Sequence, residues 1–169
     1  MQNKPLAYFI TSTTYGTWLH DDERKSIVVK NTVARQIEPN IHFNRHQSER
    51  LKYPPVTLDI RQRQIILDTL VDHCRLKTWR LYSAHVRTNH VHLLVRSDHT
   101  PEKVTSDLKA WCTRHLRQAG YSTPKLWTRQ ASTVYVFTQA KLIEKLRYIV
   151  SEQGEPMNVY IDEEFTELI

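Results

Sequence analysis

Cysteine is scarce in this chain, with two among 169 residues. Cys74 and Cys112 lack metal-site spacing and fall at apolar positions of two expected helices, which reads as reduced core residues of a cytosolic protein. No apolar run approaches the roughly 20 residues of a membrane span, and no signal-peptide pattern opens the sequence. The expectation is a cytoplasmic, nucleoid-associated protein with no membrane partner. Neither an internal repeat nor a low-complexity tract is present, and the length suits a single domain over 1–169. Acids are the minority charge, 18 against 24 Lys and Arg, for a formal net charge of +6. Asp162, Glu163, Glu164 and Glu167 crowd the last residues as an acidic tail over 155–169, so the body is more basic than the total suggests. Such a body favours a polyanionic partner, nucleic acid before membrane.

The elements follow from pattern. Leu6 to Tyr15 is aromatic and β-branched, hence a strand. Residues 16–56 are polar, carry no sustained period and close on Pro54-Pro55; they read as a long surface excursion with at most one short helix. Its histidines, His20, His42 and His46, read as solvated. Asp59 and Gln62 make a capping box for a helix over about 59–77, with Ile65, Ile66, Leu70, Val71 and Cys74 on one face. Residues 79–87 and 90–96 read as two strands joined by a turn at Thr88-Asn89. Thr100 caps a second helix begun by Pro101 and ended by Gly120, with Val104, Leu108, Trp111, Cys112 and Leu116 inward. Ala131 to Phe137 is a fourth strand. The order β-α-β-β-α-β predicts an α+β, ferredoxin-like split-βαβ sandwich: four antiparallel strands with two helices on one face.

His90-Val91-His92-Leu93-Leu94-Val95 carries the chemistry. Side chains alternate along a strand, so Val91, Leu93 and Val95 fill the core beneath the helices while His90 and His92 stand together on the open face, where both can bind one cation. A two-residue turn would bring His85 opposite His92, as a spare ligand or an orienting neighbour. On its own the motif more often means two half-exposed histidines.

A last helix, capped by Thr138 and running from about Gln139 to Gln153 before Gly154, is the element left to cover that face. Leu142, Ile143, Leu146, Ile149 and Val150 form its apolar stripe. At 100° per residue, Tyr148 points about 160° from the centre of this stripe. Glu152 follows one turn later, on the polar face of Lys141 and Lys145. A tyrosine beside a His-x-His pair suits phosphoryl transfer, in which a hard divalent cation polarises a phosphodiester and the phenol attacks phosphorus. Lys103, Lys109, Arg114, Arg117, Lys125, Arg129, Lys141 and Lys145 are candidate phosphate contacts.

Asn89-His90-Val91-His92-Leu93-Leu94-Val95, with Tyr148-Ile149 near the end of a terminal helix, resembles the single-tyrosine HUH transposases: the small insertion-sequence transposases and the REP-associated tyrosine transposases. Thr13-Thr14-Tyr15-Gly16-Thr17-Trp18-Leu19-His20 and Tyr148-Ile149-Val150-Ser151-Glu152-Gln153-Gly154 look like one branch of that family. The resemblance runs from the first strand to Gly154 and omits the excursion and the tail. It implies a transposase, usually dimeric, that recognises hairpins in single-stranded DNA and cleaves and rejoins strands through a 5′-phosphotyrosine on Tyr148. It also implies Mg²⁺ or Mn²⁺ held by His90, His92 and a third polar ligand, in relatives a Gln or Asn four residues after the tyrosine. Helix phase favours Glu152 for that place, and residue type favours Gln153. Two other readings compete: a binding module of the same ancestry without chemistry, and a metal-dependent hydrolase without a covalent tyrosine.

Overall fold

The computed structural model describes residues 4–17, 27–30, 33–36 and 51–169. In chain order the elements are β1 (Ala7–Thr14), β2 (Ile27–Lys30), β3 (Val33–Gln36), α1 (Ile60–Leu76), β4 (Arg80–Val86), β5 (His90–Arg96), α2 (Pro101–Gln118), β6 (Trp127–Val136), α3 (Gln139–Ser151) and β7 (Asn158–Ile161), then a 3-10 turn over Glu163–Leu168. The excursion contains an antiparallel hairpin, β2 with β3, where a short helix at most was expected. His20, His42 and His46 lie outside the described residues.

The helix starts are those the sequence encodes. Asp59 and Gln62 bond reciprocally at 2.8 Å ahead of α1, Thr100 and Pro101 begin α2, and Thr138 accepts from the Lys141 amide ahead of α3. Each satisfies amides that a helix N-terminus leaves open.

The main sheet runs β6-β1-β5-β4-β7, with every neighbouring pair antiparallel. The expected four strands are therefore five, and the fifth comes from the acidic tail. Asn158–Ile161 pairs with β4, whose edge would otherwise expose unpaired backbone groups. Beyond it Phe165 is buried against the ring of Tyr82 (centroids 5.4 Å), and Arg80 pairs with Asp162 and Glu164. Apolar residues hidden among the acids make this segment part of the fold.

The sheet has apolar cores on both faces. Ile10, Val91, Leu93 and Val95 pack beneath α1 and α2, against Ile66, Leu70, Val104 and Leu108. Cys74 and Cys112 are free thiols in that core, and burial pushes the Cys74 thiol up to about 12 and raises Cys112 as well, so neither is a reactive thiolate. On the other face Phe9, Leu94 and Val136 pack against Leu142, Leu146 and Ile149 of α3. Each of these fully buried aliphatic side chains is worth about 1.5–3 kcal/mol of burial, enough to hold α3 over the sheet. No helix among the described residues is long and apolar enough to cross a membrane.

Candidate active site

The β4–β5 hairpin sets the register of the site. The Arg87 amide donates to the His90 carbonyl at 2.9 Å, and His85 lies opposite His92. His90, His92 and Leu94 face α3, while Val91, Leu93 and Val95 face α1 and α2, as period-two alternation requires. Both histidines are only 4% exposed, because α3 covers a face that would otherwise be open.

The two imidazoles stand with centroids 4.7 Å apart at 73°. His90 Nδ1 lies 2.6 Å from Asn89 Oδ1, an atom that only accepts, so Nδ1–H is the donor. His92 Nδ1 pairs with the Thr11 hydroxyl at 2.8 Å. Polar partners of this kind on Nδ1 orient histidines that present Nε2 to a metal. His92 is stacked on Phe9 (5.6 Å, 16°) and also neighbours the ring of Tyr148 (5.7 Å, 72°).

Tyr148 thus meets His92, but not from the far side of its helix. The buried residues of α3 are Leu142, Leu146 and Ile149, with Ile143 and Val150 only partly covered. Their centre lies about 35° nearer Tyr148 than the five-residue stripe suggested, which leaves the tyrosine about 125° away on the flank of the helix. From there its half-buried ring packs edge-on against Phe9 (5.8 Å) as well as His92. The offset of about 160° expected from the sequence is corrected: the helix sits deeper on the tyrosine's side, and the ring takes part in packing. The Lys145 ammonium lies 5.2 Å from the Phe9 ring centre and 5.6 Å from that of Tyr148, and pairs with Glu144 at 3.3 Å.

His85 is fully buried and uses both ring nitrogens. Nδ1–H donates to the Ile149 carbonyl (2.9 Å), and Nε2 accepts from the Met157 amide (3.2 Å). It is therefore no spare ligand in this geometry. It ties β4 to the residue after Tyr148 and to the start of β7, and burial lowers its pKa so that it stays neutral.

The third-ligand expectation changes too. Helix α3 ends at Ser151, not Gln153, so Glu152 is the C-cap residue and the helical phase that pointed it inward stops short of it. Glu152 is exposed, and among the described residues no three His, Cys, Asp or Glu side chains group closely enough to hold a metal. Gln153 is half-buried, its amide nitrogen donating to the Tyr148 carbonyl at 3.2 Å, which leaves its amide oxygen as a donor atom of the kind a hard cation takes.

The expected phosphate contacts do not all reach this face. Lys103, Lys109, Arg114 and Arg117 are on α2, across the sheet from the histidines. Lys103 pairs with Asp107 (2.6 Å), and Lys141 with Glu144 (2.7 Å). Lys125 sits over the Tyr15 ring (4.6 Å). Lys145 adjoins the tyrosine, and Arg129 lines a groove with Thr11 and Thr13. Sequence reasoning missed Phe9 and Thr11, whose signal was alternation along β1: Ala7, Phe9, Thr11 and Thr13 share the face that β5 gives to its histidines.

No protein-family profile matches the chain, and no curated protein does. Among solved structures it is similar to the REP-associated tyrosine transposase bound to a REP hairpin, at 11% identity and a TM-score of 0.52, over 88% of this chain and 67% of that one. A protein from Deinococcus radiodurans R1 described as a transposase aligns at 17% identity and a TM-score of 0.43, over 86% and 88% of the two chains. Only the first likeness is close enough to bear on the fold. The chain has the fold of a REP-associated tyrosine transposase, the family that its own motifs resemble.

Proposed function

We propose that this chain is a metal-dependent single-stranded DNA transposase that recognises hairpins and cleaves and rejoins strands through Tyr148. The observation that carries the reading is the His92 ring, lodged against Tyr148 on one side and beside His90 on the other. A bound Mg²⁺ or Mn²⁺ would be held by His90 and His92 with the Gln153 amide oxygen, and would supply Lewis-acid polarisation of the phosphodiester. In the cleavage step the Tyr148 oxygen bonds to phosphorus as the bond to the 3′-oxygen breaks. The phenolic proton passes to solvent, and the departing oxygen takes up a proton to become a 3′-hydroxyl. Rejoining is the reverse attack by a 3′-hydroxyl. Lys145, beside the phenol, offsets charge on the phosphate. The homodimer that the resemblance implies belongs to the same proposal.

A hairpin-binding module without chemistry is the second reading, favoured because His85 spends both ring nitrogens elsewhere and, among the described residues, no group of three His, Cys, Asp or Glu could hold a metal. One experiment separates the two. A 3′-labelled hairpin-bearing strand is incubated with Mn²⁺ and resolved under denaturing conditions. Label on the wild-type protein and none on Tyr148→Phe supports the enzyme; binding without any adduct supports the module.

A further inference from the structure

Three grooves run into one another around the β6 edge of the sheet. The first, about 590 Å³, lies on α2 between Trp111 and Trp127 and is flanked by Arg114 and Arg117. The second, about 440 Å³, shares Lys109 with the first and continues along α2 to Arg129 and Gln130. The third, about 510 Å³, shares Arg129, Gln130 and Ala131 with the second and opens on the opposite face at Thr11, whose hydroxyl holds His92. The turn around the edge is made by an irregularity in the strand pairing. Ser12 pairs with Ala131 but Thr14 with Trp127, so Thr128, Arg129 and Gln130 face a single residue, Thr13. Such a bulge bends an edge strand and re-aims its side chains. Lys109 secures it by donating to the carbonyls of Thr128 (3.0 Å) and Gln130 (3.3 Å).

The lining is aromatic and cationic, with Glu102 in the second groove as its one carboxylate among the described residues. Trp111 is half-buried, with the Arg114 guanidinium 5.0 Å from its ring centre. Trp127 is half-buried and held in place by its indole N–H on the Lys109 carbonyl (3.2 Å). Lys103, Lys141 and Lys145 all pair with carboxylates, whereas Arg114, Arg117 and Arg129 are exposed and in no ion pair with a described carboxylate. Three exposed arginines without a carboxylate partner among the described residues, along a groove floored by two indoles, suit a chain of phosphates with stackable bases, and suit a rigid duplex poorly where the path turns a sheet edge.

We propose that this track binds the single-stranded DNA flanking the reacting phosphate, stacking a base at Trp111 and Trp127 and carrying the strand over Arg129 to the His92 face. This rests on the function proposed above and assigns the α2 side of the molecule, remote from the histidines, a share in substrate binding. The test uses the full chain as Tyr148→Phe in EDTA, so that no chemistry contributes, and measures binding of a 15-residue oligothymidylate by fluorescence anisotropy. Replacing Arg114, Arg117 and Arg129 by Ala removes exposed side chains only. It should weaken binding at least tenfold and flatten the log–log salt dependence by about 2, at roughly 0.7 per phosphate contact. Trp111→Phe, which keeps an aromatic ring on the groove floor, should weaken it less than the triple change. An oligonucleotide bearing 5-iododeoxyuridine should photocrosslink to the peptide containing Trp111 or Trp127. Unchanged affinity and salt slope in the triple variant would overturn the proposal, as would equal binding of a blunt duplex of the same length. A missing covalent adduct in the wild type overturns the proposed chemistry and leaves this binding result standing.

Discussion

His85 and Ile149 are joined by a buried hydrogen bond of 2.9 Å, from the imidazole Nδ1–H to the carbonyl of the residue that follows Tyr148. The same ring accepts from Met157, so one side chain ties a central strand to both ends of the α3–β7 connection. His85→Ala strands a buried carbonyl and an amide, and should destabilise the protein by about 1–3 kcal/mol. On the proposed function, adduct yield at Tyr148 should fall more steeply than the folded fraction, because the helix that carries Tyr148 loses its tether. Equal thermal midpoints for the variant and wild type would remove the tether from the account.

Stability should depend on pH between about 5 and 7.5. Burial is the first cause of the lowered pKa of both His73 and His85. An unfolded histidine titrates near 6.5, so below that pH the unfolded chain binds protons that the folded one resists. The contribution is whole above about 6.5 and is lost as the pH falls towards the depressed folded values. Urea midpoints should be lower at pH 5 than at pH 7.5, and the gap should shrink in His73→Gln/His85→Gln.

Tyr148→Phe keeps the ring that packs on Phe9 and His92, so its stability should stay within about 0.5 kcal/mol of wild type while the covalent adduct disappears. Tyr148→Ala loses the ring and should also lower the melting temperature. An adduct persisting in Tyr148→Phe would assign the attack to another residue.

Gln153→Ala should raise the Mn²⁺ concentration needed for cleavage more than Glu152→Ala does. Gln153 is anchored on the Tyr148 carbonyl, whereas Glu152 is exposed past the end of the helix. Titrating cleavage against Mn²⁺ for both variants decides it, and a shift confined to Glu152→Ala would return the carboxylate to the proposed metal site.

Gly16 and Gly154 have nearly the same backbone, φ +75° and +74°, in different surroundings. A Cβ at Gly16 would meet Pro55 Cα at 2.9 Å, where the excursion returns, while one at Gly154 would meet nothing within 4 Å. Gly154→Ala should cost about 1–2 kcal/mol of left-handed strain. Gly16→Ala should cost more, since backbone must also move. Chemical denaturation of the two variants measures the difference, and equal values would show that the chain at Pro55 yields freely.

Local patterns carried most of this architecture in the sequence. Asp59 and Gln62, Thr100 and Pro101, and Thr138 mark helix starts through bonds made within one turn, so three residues suffice to read them. Period-two alternation placed Val91, Leu93 and Val95 opposite His90 and His92, and a two-residue turn set His85 against His92. These are short-range rules of backbone geometry, and no distant part of the chain can override them without breaking the hairpin.

Tertiary structure decided what depends on two segments meeting. Whether Asn158–Ile161 forms a strand depends on the open edge of β4, which its acidic neighbours do not reveal. How far Tyr148 is buried depends on how α3 rolls against Phe9, a shift of about 35° that helical periodicity does not determine. The end of α3 at Ser151 takes Glu152 out of phase and turns Gln153 back onto Tyr148. His85 could be placed on the right face by register alone, but its two hydrogen bonds need Ile149 and Met157, which only the packing of α3 across the sheet brings within 3.2 Å.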